Sequence, residues 1–328
     1  MLKNKIHLLY CGFGVILLKI VCLIREGKIY MQSLRVSHFY DFTARDKSEW
    51  QEVFAEFAKN NAKFLTINTA LLQKMLADEA LAIEFTQQAK SFGLQALDIH
   101  GLCGKNYDLN IVDSNQREIM LHDHAKAFRL ARKIGAETYV MHIGAWCCVE
   151  NCWYGNEDNL RSLAIQTLEK LLPIAEENNI TIAIENAFEP SNTPDELLYY
   201  LERVKSPALG VCFDAGHATM MSGEVFERDP AENNHPLRQR LWHGRLEFQY
   251  NAIESLLPHI VTCHLHDNDG FDDQHNLIFS GVADWQKYAA NLAKAPRLKS
   301  IQNEIKSGST TIAEMCQAFD RLHNIIKG

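Results

Sequence analysis

The chain has 328 residues, 47% of them hydrophobic, so it can bury a sizeable core and is long enough for one α/β barrel or for two domains. Its formal charge of −8 gives no basic footprint, which weighs against a nucleic-acid partner while leaving a local basic groove open. The nine cysteines follow no paired spacing and sit in strand-like runs such as Val211-Cys212-Phe213, a pattern of reduced cytoplasmic thiols and not of a disulfide framework.

Residues 1–30 read as an apolar N-terminal extension. Ile6 to Ile24 is almost continuously apolar between Lys3 and Lys5 on one side and Arg25 and Lys28 on the other, with Lys19 inside. That length can cross a bilayer, so a membrane anchor is the alternative to an extension of a soluble protein. The folded part is expected over residues 31–328. From Ser33 onward, short apolar runs alternate with longer amphipathic stretches. Strands are predicted at Leu34–Tyr40, Lys63–Asn68, Leu94–His100, Thr138–His142, Thr181–Glu185, Ala208–Asp214, Ile260–His266 and Leu298–Glu304. Helices are predicted at Ser48–Asn60, Leu71–Phe92, Gln116–Ile134, Leu160–Asn178 and Pro194–Val204. Thr193-Pro194-Asp195-Glu196 carries a cap, a first-turn proline and acids at the positive end of the helix dipole. Strand, helix, strand at this rhythm means parallel strands with helical crossovers, and the eight units predict a closed (β/α)8 TIM barrel, α/β in class and a single domain. Arg228–Leu246, rich in His and Arg, is an insertion suited to a lid or to a contact surface in a homo-oligomer.

In such a barrel the C-terminal strand ends face the active-site mouth. Here they end in Asp98-Ile99-His100, Val140-Met141-His142, Glu185-Asn186, Asp214-Ala215-Gly216-His217, His264-Leu265-His266-Asp267 and Asn303-Glu304, with Asp273-Gln274-His275 in a following loop. Singly, each has a plain reading: a strand-end His is usually a hydrogen-bonded structural group, and Asp214 also suits a cap for a helix starting at Ala215. Together they form a set of buried carboxylates and imidazoles whose mutual repulsion calls for a cation. Carboxylate and imidazole donors without thiolate suit Mn²⁺, Mg²⁺, Co²⁺, Fe²⁺ or Zn²⁺ in an open site. Cys147, Cys148 and Cys152 lack the Cys-x-x-Cys geometry of a zinc knot and are expected as reduced thiols in a loop lining the mouth.

Glu185-Asn186, Phe213-Asp214-Ala215-Gly216-His217, His264-Leu265-His266-Asp267-Asn268-Asp269-Gly270 and Gly281-Val282-Ala283-Asp284-Trp285 resemble the xylose isomerase-like TIM-barrel superfamily, over nearly all of Ser33 to Lys327. That superfamily holds sugar (phosphate) isomerases and epimerases together with the endonuclease IV repair enzymes of AP endonuclease family 2. Resemblance to the isomerase branch implies one divalent ion on Glu185, Asp214, His264 and Glu304. It also implies proton transfer by Glu185 and Glu304 through an enediolate, and a substrate contact from His217. His142 and Trp146 are further candidates for contacts to a small-molecule sugar or sugar phosphate, and Trp146, Trp153 and Phe188 for apolar walls against its C–H face.

Resemblance to endonuclease IV implies three zinc ions on a larger set: His100, His142, Glu185, Asp214, His217, His264, Asp273, His275 and Glu304. The chain departs from that branch in several places. Ala215-Gly216 stands where it has Thr-Cys, Ile305-Lys306 follows Glu304 in place of Thr-Pro, and Phe279 stands at the first glycine of a Gly-x-Gly. Asp41-Phe42-Thr43-Ala44-Arg45 also lacks the Gly- and Gln-containing segment that enters the minor groove. The leading expectation is therefore a metal-dependent sugar isomerase or epimerase. A zinc phosphodiesterase acting on abasic-site DNA is the alternative, and a lyase or dehydratase on the same ligands is a third.

Overall fold

The computed structural model describes residues 34–228, 241–306, 308 and 310–328. The apolar 1–30 extension and most of the Arg228–Leu246 insertion lie outside the described residues. Among the described residues no helix is long and apolar enough to cross a membrane.

Eight short strands carry the fold: β1 (Arg35–Phe39), β2 (Phe64–Ile67), β3 (Gln95–His100), β4 (Thr138–Met141), β5 (Thr181–Glu185), β6 (Leu209–Asp214), β7 (Ile260–Leu265) and β8 (Ser300–Asn303). They pair in chain order, all in parallel, and β8 returns to β1 in the register Arg35↔Ser300 to His38↔Asn303, which closes the barrel. The apolar runs are continuous because helices cover their outer faces. Every residue of β5, β6 and β7 is buried. The sequence places each strand to within two residues. One predicted helix needs correction. Leu71–Phe92 is two helices, Thr69–Ala77 and Glu79–Ser91, because Asp78 adopts an extended backbone and its side chain accepts the Ala80 N–H as an N-cap.

Between strands and helices the core is aromatic near β1. Phe42 meets Phe85 edge-to-face at 4.9 Å and Phe54 at a tilt of 38° and 5.2 Å, and all three are buried. Inside the barrel the packing is partly polar. The Thr66 hydroxyl donates to Gln302 Oε1 at 3.1 Å, and Gln302 Nε2 donates to Thr262 Oγ1 at 2.8 Å. Thr262 and Ser300 meet at 2.9 Å, and Ser300 and Thr138 both donate to Asp98 Oδ1. Buried hydroxyls are thereby satisfied by a chain that ends on one buried carboxyl.

Burial pushes the Asp98 carboxyl above its ordinary range, against the hydrogen bonds from Thr138 and Ser300. A carboxyl raised in the folded state contributes stability below its unfolded value and loses it as pH climbs through the folded value. Asp98→Asn keeps an acceptor for both hydroxyls and cannot ionise. In urea unfolding from about pH 4 to 8, the wild-type chain is expected to lose stability relative to this variant as pH rises from the unfolded carboxyl value of about 3.9. Parallel curves would show that Asp98 does not titrate with folding.

Candidate metal centre

The strand ends deliver their polar side chains to one place because parallel strands in a closed barrel all finish on the same rim. Glu185 is the last residue of β5, and Glu304 follows β8. Their carboxylates flank one imidazole nitrogen: His264 Nδ1 lies 3.2 Å from Glu185 Oε1 and 3.3 Å from Glu304 Oε2. Asp214 closes β6 and joins from the next strand, its Oδ1 3.5 Å from His217 Nδ1, an atom that is itself 3.6 Å from Glu185 Oε1. His142 Nε2 reaches Glu185 Oε2 at 3.2 Å, and His100 Nε2 reaches Glu304 Oε1 at 3.6 Å. Asp273 Oδ2 is 3.0 Å from His275 Nε2 and 3.7 Å from His217 Nε2. All nine residues expected as ligands therefore meet in one cluster.

The neighbouring backbone orients these donors. Asn186 Nδ2 donates to the Asp214 carbonyl, and Asn186 Oδ1 accepts the Asp214 N–H, both at 2.9 Å. His217 Nδ1 lies 3.1 Å from the Asn186 carbonyl, and His275 Nδ1 lies 2.6 Å from the Glu304 carbonyl. Such contacts fix ring orientation and leave the opposite nitrogen for a ligand. Asp214 is also the helix cap read from the sequence, since its Oδ1 accepts the His217 N–H at 2.6 Å at the start of the helix Ala215–Met220.

The charges are strongly coupled. Burial alone would neutralise these groups, yet the charge of Glu185 raises His142 to about 10 and, with Glu304, raises His264 to about 9. Glu185 is held well below the carboxylate range by His264 and His142 despite its burial, and Asp214 is lowered by His217 and His266. The acids and imidazoles of the cluster thus hold one another charged against their burial. Several buried atoms in it lack any hydrogen-bond partner: both nitrogens of His264 and His266, Asp214 Oδ2, Asp273 Oδ1 and Glu304 Oε2. Buried polar atoms left unpaired are costly, and a donor set of carboxylates and imidazoles fits a divalent ion.

His266 was not among the residues expected as ligands. It follows β7 and is fully buried, and its Nε2 lies 3.3 Å from Asp214 Oδ2. The spacing His264-x-His266 puts both rings on one face of an extended segment, a signal present in the sequence. Cys212 also falls within ligand range of Glu185 and His264, but burial holds its thiol protonated, and the thiolate is the ligand form.

The expected walls divide. Phe188 packs edge-to-face on His217 at 5.1 Å, as a wall of the centre would. Trp146 has Lys105 over its ring at 5.4 Å and donates its Nε1–H to Glu150. Trp153 is buried. The segment expected as a mouth-lining loop is a helical turn, Trp146–Val149. It buries Cys147 and Cys148 against Trp153, Met221 and Trp242. All described cysteines are free thiols. Phe279, at the site of the expected glycine, adopts the left-handed conformation that favours glycine, with φ 71°.

A closed (β/α)8 barrel with acids and imidazoles on its C-terminal rim defines the class, and the comparisons define the family. The chain belongs to the xylose isomerase-like TIM barrel family, which it matches over residues 54–316. Among curated relatives, the uncharacterised protein MJ1311 of Methanocaldococcus jannaschii is 28% identical over 180 residues, 53% of each chain. The chain thus spans about half the length of that relative. A D-tagatose 3-epimerase-like protein has the same fold, with a TM-score of 0.68 at 18% identity over 90% of this chain and 98% of its own. D-psicose 3-epimerase, crystallised with D-fructose, superposes with a TM-score of 0.67 at 12% identity, over 90% of this chain and 100% of its own.

A ligand that binds only the folded chain stabilises it by mass action. Zinc or manganese at about 100 times its Kd is expected to raise the unfolding free energy by about 2.7 kcal/mol. Glu185→Gln should abolish most of that gain. Identical thermal unfolding with and without the ion would show that the cluster binds no metal.

Proposed function

We propose that the chain is a divalent-metal-dependent sugar isomerase or epimerase that moves a proton beside a carbonyl. The observation that carries this reading is the pair of carboxylates, Glu185 and Glu304, on either side of His264 Nδ1 at 3.2 and 3.3 Å. They come from strands three places apart around the ring, so they approach a molecule in the mouth from different directions. The family and the sugar epimerases that share the fold support the same reading.

Glu185, Asp214, His264 and Glu304 would hold the ion, with Mn²⁺, Mg²⁺, Co²⁺ and Zn²⁺ all suited to the donors. When bound, the ion supplies charge stabilisation for the substrate oxygen that becomes negative as the carbon-bound proton leaves. The chain's own part is to receive and return that proton. One glutamate takes it, and the other delivers a proton to the opposite face or to the adjoining carbon. Glu185 is ionised throughout the neutral range, since His264 and His142 hold its carboxyl far below the ordinary value. His142, at 3.2 Å from Glu185 Oε2, would be available to a substrate hydroxyl beside that glutamate. Phe188 supplies an apolar wall for the C–H face of a sugar.

One observation favours the second reading, phosphodiester hydrolysis. Donors exist for more than one ion, in the groups His100, His142, Glu185 and His266, Asp273, His275. The acidic charge of the chain and its departures from the endonuclease IV motifs count on the other side.

Incubation with free ketohexoses in D₂O is expected to place deuterium at the carbon next to the carbonyl. Glu304→Gln should lower that exchange by about 10²- to 10⁴-fold, the range for loss of a general base, with circular dichroism unchanged. Retention of most exchange would remove Glu304 from proton transfer. Cleavage of an abasic-site duplex, with no exchange into any ketose, would favour the phosphodiesterase.

A further inference from the structure

Cys147, Cys148 and Cys152 share the turn that follows β4 and have no part in the proton-transfer reading. Trp146–Val149 is a single helical turn, and the way it ends places two of these thiols together. Asn151 takes the left-handed conformation, with φ 54°. Its N–H donates to the Cys148 carbonyl at 3.2 Å, and the Cys152 N–H donates to the Cys147 carbonyl at 2.8 Å. Two such bonds nested around one left-handed residue form the Schellman helix end. In that motif the residues joined by the outer bond bring their side chains together. Here both are cysteine.

A short N–H···O=C bond holds the Cα atoms of its two residues about 5–6 Å apart, inside the range of about 4.4–6.8 Å that a disulfide spans. By sulfur distance Cys147 and Cys148 are a nearer pair, at 3.8 Å. The backbone rules them out, because adjacent Cα atoms across a trans peptide are about 3.8 Å apart, short of that range. Both thiols of the outer pair are reduced and turned to carbonyls. Cys147 Sγ–H donates to the Gly144 carbonyl at 3.1 Å, and Cys152 Sγ–H to the Cys147 carbonyl at 3.0 Å. Rotating Cys147 away strands nothing, since the Ser191 hydroxyl also donates to the Gly144 carbonyl. Asn110 Nδ2, 3.4 Å from the Cys147 sulfur, gives up only a weak acceptor.

Both sulfurs can be reached. Cys152 is half-buried, and it lines with Cys147 a cavity of about 390 Å³ between the loop after β3 and the turn after β4. We propose that Cys147 and Cys152 form a dithiol–disulfide couple, oxidised by a low-molecular-weight disulfide that enters this cavity. The Cys152 thiolate attacks one sulfur of the reagent, which gives a mixed disulfide and releases one thiol. The Cys147 thiolate then attacks the Cys152 sulfur, the protein S–S bond forms, and the second thiol leaves. The protein gives up two protons and two electrons, and the two released thiols carry them away. Contact with Cys148 and burial raise the Cys147 thiol, and burial raises Cys152, so exchange at neutral pH is slow and the couple is read at equilibrium. The bond would close the helix end from Cys147 to Cys152. It would fasten the turn whose Trp146 N–H donates to Asp108 Oδ2 at 2.8 Å, using no donor of the metal centre.

The couple depends neither on the ion nor on a sugar, so it stands or falls apart from the proposed reaction. The full folded chain is equilibrated in glutathione buffers from reducing to oxidising, quenched with acid, unfolded, alkylated and cut by a protease that cleaves after glutamate. Cleavage after Glu150 puts Cys147 and Cys152 on separate peptides in the reduced chain. The oxidised chain should yield those two peptides joined, lighter by two hydrogens than their sum. Cys148→Ser should leave that linkage intact, and Cys152→Ser should abolish it. A bond between Cys147 and Cys148, which stays within one peptide, would overturn the proposal. So would a lasting glutathione adduct on Cys152 with Cys147 still alkylated, or three alkylated thiols in the most oxidising buffer. A linkage that forms only in denaturant would overturn it as well. If either variant fails to fold, the peptides of the wild-type chain decide.

Discussion

Negative charge gathered on the rim of a closed barrel has to be matched within a few ångströms, and much of this molecule is arranged around that requirement. Glu185, Asp214, Asp273 and Glu304 each have an imidazole nitrogen within 3.0 to 3.3 Å. Three of these four contacts join the ends of different strands, and the fourth lies within the loop after β7. Closure brings the ends of β3 through β8 to one rim, so the barrel geometry is the condition for the charge balance. The mutual pKa shifts follow from it: against their burial, Glu185, Asp214 and Asp273 are held down and His142, His217, His264 and His275 pushed up by neighbours of opposite charge.

The surrounding loops serve that balance. Asn186 is bonded twice to the backbone of Asp214 and takes His217 Nδ1 on its own carbonyl. Asp267 anchors the loop after β7, accepting the Trp285 indole N–H at 2.7 Å and the Ala283 N–H at 3.2 Å, while its backbone pairs with Asn276. That anchoring presents Asp273 and His275 from a loop that would otherwise be free to turn away. His275 itself has φ 52°, a conformation that costs a non-glycine residue energy and persists where its surroundings impose it.

The barrel was legible in the sequence because its strands, buried on both faces, leave continuous apolar runs with turns between them. The rim was legible because polar residues ended those runs at strand after strand. What escaped was set by contacts distant in sequence. Asp78 reads as an ordinary residue of an amphipathic stretch, and only the packing of two helices in place of one shows it as a cap. Trp146 and Trp153 share the same short segment with His142, yet one is engaged by Lys105 and Glu150 and the other is buried. Adjacency to a ligand does not tell which way an indole turns. His266 lies within His264-Leu265-His266-Asp267, and its two-residue spacing from His264 carries the signal. Its isolation from any hydrogen-bond partner appears only when β6 and the loop after β7 are seen together.

The contact between Gly216 and His266 has a consequence for how this rim varies among related chains. The imidazole occupies the space where any side chain at 216 would begin. The two positions are therefore epistatic, and the order of change is constrained. A glycine at 216 must precede a large ring at 266, and once the ring is in place the glycine can no longer drift. Where 216 carries a side chain, the buried ring should be absent, and with it a donor on that side of the rim.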